Sequence, residues 1–151
     1  MESGQKRKVA LVLSGGGAKG AFQVGAERYL RGVVQYQWDV ISGVSVGALN
    51  GAMLAMGKHQ RLYDVWYNIT KGHVYQGKLN LWAVLKMAFG AKSIYSNDPL
   101  WKMIKEEVDV NKIIVDLNVG AVSLETGAYK HFHIGPSTSA KISPADFKKA
   151  I

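Results

Sequence analysis

The sequence contains no cysteine, which excludes a disulfide framework, a thiolate metal site and a cysteine nucleophile, and leaves the redox compartment open. The catalytic menu narrows to oxygen nucleophiles, carboxylates and histidine. Proline is scarce, with three in 151 residues, and no long polar tract occurs, so the marks of disorder are missing. Long apolar runs are missing too. Lys6, Arg7 and Lys8 precede only residues 9–13 before glycines begin, short of the roughly 7 to 15 apolar residues of a secretory signal. The most apolar later stretch, residues 79–90, is interrupted by Asn80 and Lys86 and is far shorter than the ~20 residues of a membrane span. We therefore expect a soluble, cytoplasmic protein whose membrane contact, if any, is peripheral. Acidic residues are few: 11 Asp+Glu against 19 Lys+Arg leave a net charge of +8, which favours anionic partners such as phospholipid headgroups or acyl phosphates. The basic residues are spread along the chain and no helix carries a basic stripe, so no nucleic-acid partner is expected.

What is present is 48% apolar residues in a length close to one ordinary domain. Residues 8–14 form a Val/Leu run closed by three glycines, the pattern of a strand buried on both faces in a parallel sheet. A helical period follows, with Phe22, Ala26, Tyr29, Leu30 and Val33 on one apolar stripe. A second short strand at 39–42 ends in Gly43, and Leu49, Met53 and Met56 repeat at helical spacing up to a Gly57 stop. Leu62, Val65, Trp66 and Ile69 give another amphipathic helix, and Pro99 after Asp98 starts one through Leu100, Met103, Ile104 and Val108. Residues 113–124 read as a strand that Glu125-Thr126-Gly127 turns into a partner at 128–134. Ser143-Pro144-Ala145-Asp146 opens a helix that the chain leaves after five residues. We therefore expect residues 1–151 to be the N-terminal portion of a longer single domain.

Two motifs carry chemistry. Gly43-Val44-Ser45-Val46-Gly47 fits G-x-S-x-G, a sharp turn between strand and helix that lifts a serine hydroxyl above the sheet edge. In a chain with 17 Gly a chance match is expected about once in eight, so the pattern gains weight from its context, an apolar strand before it and a small-residue helix after it. Ser45 is the candidate nucleophile. The second motif, Ser14-Gly15-Gly16-Gly17-Ala18-Lys19-Gly20, sits at the other strand-to-helix junction, where backbone N–H groups can converge on an anion. An acyl oxyanion needs two such donors at ~3 Å. A dinucleotide-binding loop competes, because Gly15, Gly17 and Gly20 satisfy G-x-G-x-x-G and Asp39 lies roughly twenty residues on. Glycines kept only for helix-on-sheet packing are the plain alternative.

Taken together, the strand ending in Gly15-Gly16-Gly17-Ala18-Lys19-Gly20 and the turn Gly43-Val44-Ser45-Val46-Gly47-Ala48 resemble patatin-like phospholipases, closely over residues 8–57 and loosely beyond. The resemblance implies a three-layer α/β/α fold with a mainly parallel central sheet, and a Ser-Asp dyad that hydrolyses lipid acyl esters through an acyl-serine intermediate. It implies no catalytic histidine, no metal and no cofactor. By that analogy Ser45 is the nucleophile, the amides of Gly16, Gly17 and Ala18 form the oxyanion hole, and Lys19 matches the family's basic position. The family's dyad Asp stands in a late Asp-Gly-Gly or Asp-Gly-Ala motif, and no Asp here precedes a Gly. The base is then expected on a companion chain or a later segment, and these residues alone should be nearly inert. A non-catalytic lipid-binding fragment is the remaining alternative.

Other residues have blander readings. Leu79, Leu81, Trp82, Val84, Leu85, Met87 and Phe89 suit either a lipid-facing lid or a core helix. His131 and His133 share one side of a strand but lack a third metal ligand in the sequence nearby. His59 and His73 fall in expected loops, Asn50 lies one helical turn after Ser45, and Trp38, Trp66 and Trp101 read as core or rim aromatics.

Overall fold

The computed structural model describes residues 7–69, 98–123, 125–138, 143 and 146, with only the backbone of 98–101. The apolar run after Lys8 forms β1 (Ala10–Leu13), and the glycines beyond it form a 3-10 turn (Gly17–Lys19) that passes directly into α1 (Gly20–Gly32). Then come β2 (Val40–Val44), α2 (Val46–Ala55), α3 (His59–Asn68) and α4 (Asp98–Glu107). A second 3-10 turn (Val110–Lys112), β3 (Asp116–Val122) and β4 (Tyr129–Ile134) follow. The sheet order is β1-β2-β3-β4, with the first two pairings parallel and the β3–β4 hairpin antiparallel. Each expected strand is present at about its expected place. The 79–90 stretch, His73 and nearly all of the helix expected from Ser143 lie outside the described residues.

The chain is an α/β domain with a mainly parallel sheet flanked by helices. Leu13, Ile41, Leu117 and Val119 project from one sheet face into the core that α2 covers. All of α2 except Leu49 and its N-terminal junction is buried, which suits its run of Ala, Gly and Leu: small residues allow backbone to approach sheet. Gly51 lies over the sheet, where an added methyl would stand 3.1 Å from Ile41 Cγ2 and 3.3 Å from Leu117 Cδ1. Helices α1 and α3 pack on α2 and on each other, and Ile104 and Val108 bring α4 and its exit into the same cluster. Lys58 and Arg61 hold Glu107 at 3.3 and 2.5 Å, tying α4 to α3.

The mainly parallel sheet with flanking helices is the α/β arrangement expected, with α2 on the face that carries Leu13 and Ile41. The opposite face keeps Val12, 75% exposed, and Val44 and Val122 open.

The rotation of α1 differs from expectation. Phe22, Tyr29 and Val33, on the apolar stripe of the sequence, are exposed, Phe22 at 80%, while Gly20, Val24 and Glu27 are buried. Gly20 fixes this rotation, because a methyl there would stand 2.5 Å from Val46 Cγ2 and 2.6 Å from Trp66 Cζ2. Glu27, 1% exposed, accepts hydrogen bonds from Trp38 Nε1 at 3.2 Å and the Tyr63 hydroxyl at 2.9 Å. Arg31 Nε and His59 Nδ1 approach the same carboxylate at 3.2 and 3.6 Å. A buried carboxylate is tolerated when it is surrounded by donors in this way.

Candidate active site

The two glycine-bearing turns leave the carboxyl ends of β1 and β2, which are adjacent parallel strands, so both junctions lie on the same rim. They touch: a methyl built on Gly15 would stand 3.3 Å from Ser45 Cβ and 3.9 Å from Ser45 Oγ. The crowding extends to both flanking glycines of the Ser45 turn. A methyl on Gly43 would stand 2.7 Å from the Ala48 nitrogen, and one on Gly47 would stand 2.6 Å from the Ser14 carbonyl oxygen. These neighbours are backbone and cannot move aside, so the G-x-S-x-G pattern is enforced by the close approach of β1, β2 and α2.

Ser45 sits at φ 55° and ψ −129°, a region that L side chains rarely occupy and that costs on the order of 1–3 kcal/mol. Serine at a helix N-cap ordinarily turns its hydroxyl back onto the first-turn amides. Here the backbone forbids it: Ser45 precedes α2, makes no side-chain cap bond, and is exposed. Its carbonyl still starts the helix by accepting from Ala48 at 2.8 Å and Leu49 at 3.2 Å. Ser45 thus stands at the positive end of α2, whose first-turn N–H groups favour negative charge.

The glycine loop is equally specific in shape. Gly16 has φ 152° and Gly17 φ 55°, Lys19 N donates to the Gly16 carbonyl at 3.1 Å, and residues 14–19 are exposed. The amides of Gly15 and Gly16 donate to no group among the described residues.

The structure brings Ser45 against Gly15 and Gly47 against the Leu13–Ser14 backbone, at the start of the loop that continues through Gly16, Gly17, Ala18, Lys19 and Gly20, while Gly43 packs on Gly47 and Ala48. Asp39 does not join them. Its carboxylate accepts from the Val9 N–H at 2.8 Å at the amino end of β2, about 17 Å along the strand from the start of the loop at Ser14 by strand rise. A ribose-binding acid belongs at the carboxyl rim, so the dinucleotide alternative loses its partner residue. Asp116 also lies on the far rim, paired with Val40 in register, where it accepts from Ser137 N at 2.9 Å and from the Ser137 hydroxyl. His133 lies 3.7 Å from Asp116, and His131 Nε2 lies 3.0 Å from Asn118 Oδ1. Among the described residues no group of three or more His, Asp or Glu is placed to hold a metal. His59 lies at the start of α3, beside Glu27.

Asn50 and Gln23 matter more to the site than their places in the sequence suggest. Asn50 is buried at 2% exposure and joins three helices: it accepts from Trp66 Nε1 at 2.7 Å and donates to the Gly20 carbonyl and to Gln23 Oε1, each at 3.1 Å. Gln23 Nε2 in turn donates to the Ser14 carbonyl at 2.7 Å. The available signal was the polar series Gln23, Glu27, Arg31 at four-residue spacing, easily mistaken for a solvated face.

The domain is of the α/β class, with an exposed serine on a strained strand-to-helix turn next to a glycine loop on the neighbouring strand. The sequence model of the family described as patatin-like phospholipase matches residues 11–145, most of the chain, and the protein belongs to that family. At the level of the family this is a lipid acyl hydrolase domain. No curated protein and no solved structure matches the chain. No described helix is long and apolar enough to cross a membrane.

Proposed function

We propose that Ser45 is the nucleophile of a phospholipase A or carboxylesterase reaction and that its turn acts as a nucleophile elbow. The observation that carries this reading is the uncapped, exposed hydroxyl at positive φ in contact distance of the glycine loop. Ser45 Oγ attacks the ester carbonyl carbon as a general base takes its proton. The carbonyl oxygen becomes an oxyanion held by the amides of Gly16, Gly17 and Ala18, and the alcohol leaves with a proton. Water then attacks the acyl-serine and releases the fatty acid. The base in this reading is an Asp on a later segment or a companion chain. Asp39 and Asp116, held at the opposite rim, are unsuited to it. Docking at a lipid surface is the partner contact the reading requires, and it needs neither metal nor cofactor.

Hydrolysis of p-nitrophenyl esters and of phospholipid vesicles tests the assignment. Ser45→Ala is expected to lower turnover at least ~10³-fold in the polypeptide that carries the base. Activity within a few-fold of the unsubstituted protein would exclude Ser45. Residues 1–151 alone are expected to be slower by a similar factor, and equal turnover by both would overturn the assignment of the base to another segment.

A further inference from the structure

The hydrogen-bond chain running from α3 to the glycine loop has a fixed polarity. Indole nitrogen only donates, so the 2.7 Å contact of Trp66 Nε1 fixes the Asn50 side chain with its oxygen toward Trp66 and its NH₂ toward Gly20 and Gln23. Gln23 must then accept through Oε1, which leaves Nε2 to donate to the Ser14 carbonyl at 2.7 Å, with the Ser14 hydroxyl at 3.3 Å. One donor-only group thereby sets the orientation of two amides and ends on a backbone carbonyl. In a trans peptide the carbonyl and the following N–H lie in one plane and point in opposite directions. Holding the Ser14 oxygen therefore fixes the direction of the Gly15 N–H. Gly15 is the loop residue that meets Ser45, and it has no side chain to restrain it.

We infer that Gln23 is a positioning residue: through the Trp66–Asn50–Gln23–Ser14 relay it fixes the Ser14–Gly15 peptide plane, and with it the direction of the Gly15 amide from which the loop of Gly16, Gly17 and Ala18 departs beside Ser45. The inference rests on the reading of that loop as the oxyanion-binding element. Asn50 serves the same end a second time by holding the Gly20 carbonyl, so the loop is gripped at both ends while its middle stays open. The partners of Gln23 are Ser14 and Asn50, neither of which titrates.

The test is backbone 15N relaxation of the whole chain in four forms: unsubstituted, Gln23→Ala, Gln23→Glu and Gln60→Ala. Gln60 is exposed, and among the described residues its side chain bonds Asp64 on the same helix. The Gly15 amide is expected to show an order parameter near 0.85 in the unsubstituted and Gln60→Ala chains and to fall below about 0.6 in Gln23→Ala. In Gln23→Glu the carboxylate still accepts from Asn50 but repels the Ser14 carbonyl. Gly15 is then expected to be loose at neutral pH and to regain order as the carboxyl takes up a proton and becomes a donor. A merely structural role for Gln23 would produce no such recovery. An unchanged Gly15 order parameter in Gln23→Ala, or a loosening spread evenly over α1 and α2, overturns the inference. Fluorophosphonate labelling of the polypeptide that carries the base keeps the two readings apart: its failure to label at Ser45 counts against the proposed chemistry, whatever Gly15 does.

Discussion

Ser45 holds strain that glycine would relieve, and this separates its structural cost from its chemistry. Ser45→Gly is expected to raise stability by about 1 kcal/mol, or about 2–4 °C in Tm for a chain of this size, while abolishing ester turnover. Ser45→Ala keeps the positive φ and is expected to leave Tm unchanged while abolishing the same activity. If calorimetry gives both variants the same Tm, the strain is not real. The neighbouring glycines should sort by what a methyl would meet. At Gly47 it meets the Leu13 and Ser14 backbone, and Gly47→Ala is expected to cost at least about 3 kcal/mol in urea unfolding. At Gly25, inside α1, a methyl meets nothing within 4 Å, and Gly25→Ala is expected to stabilise by about 0.5–1 kcal/mol through helix propensity. A Gly47→Ala chain as stable as Gly25→Ala would contradict the close approach of β1 to the Ser45 turn.

At the scale of elements, the strands and both junctions were legible in the sequence because a short apolar run that ends in glycine suits a buried strand and its turn far better than a helix. The rotation of α1 was not. Its apolar and polar stripes are both real, but the face that turns inward is the polar one, since Gly20 must meet Val46 and Trp66 and Glu27 finds donors on α3. Periodicity measures amphipathicity and is silent on which side a buried ion network lies. Burial alone would raise the Glu27 carboxyl, but His59, Trp38 and Tyr63 outweigh it and hold the group below its ordinary value of 4.5. Removing that charge should matter: Glu27→Gln is expected to cost about 2–3 kcal/mol at neutral pH. This is somewhat less than the loss of a fully buried pair, because Arg31 and His59 keep partial access to water. A change below about 0.5 kcal/mol would mean that α1 is held by Val24 and Gly20 alone.

For the whole molecule, the depressed carboxylates set the acid limit. The Arg61 hydrogen bond outweighs burial at Glu107, and at Asp116 the Ser137 hydrogen bonds overcome burial, so both join Glu27 below the ordinary range. The unfolded chain binds these protons more readily than the folded one. The stabilisation is therefore complete above the ordinary values of 4.5 and 3.8 and is lost as pH falls below them. Tm measured against pH should drop on the acid side, with a shallower limb in Glu27→Gln, and an identical limb would mean that Glu27 takes no part in acid unfolding. The α/β class and the one-rim placement of both turns were readable from two motifs on consecutive strands. Prolonged exposure of the polypeptide that carries the base to a fluorophosphonate, followed by peptide mapping, tests the central claim most directly. A single adduct on Ser45, absent in Ser45→Ala and suppressed by a competing lipid ester, is the expected result. An adduct on any other residue, or none after exhaustive reaction, would contradict it.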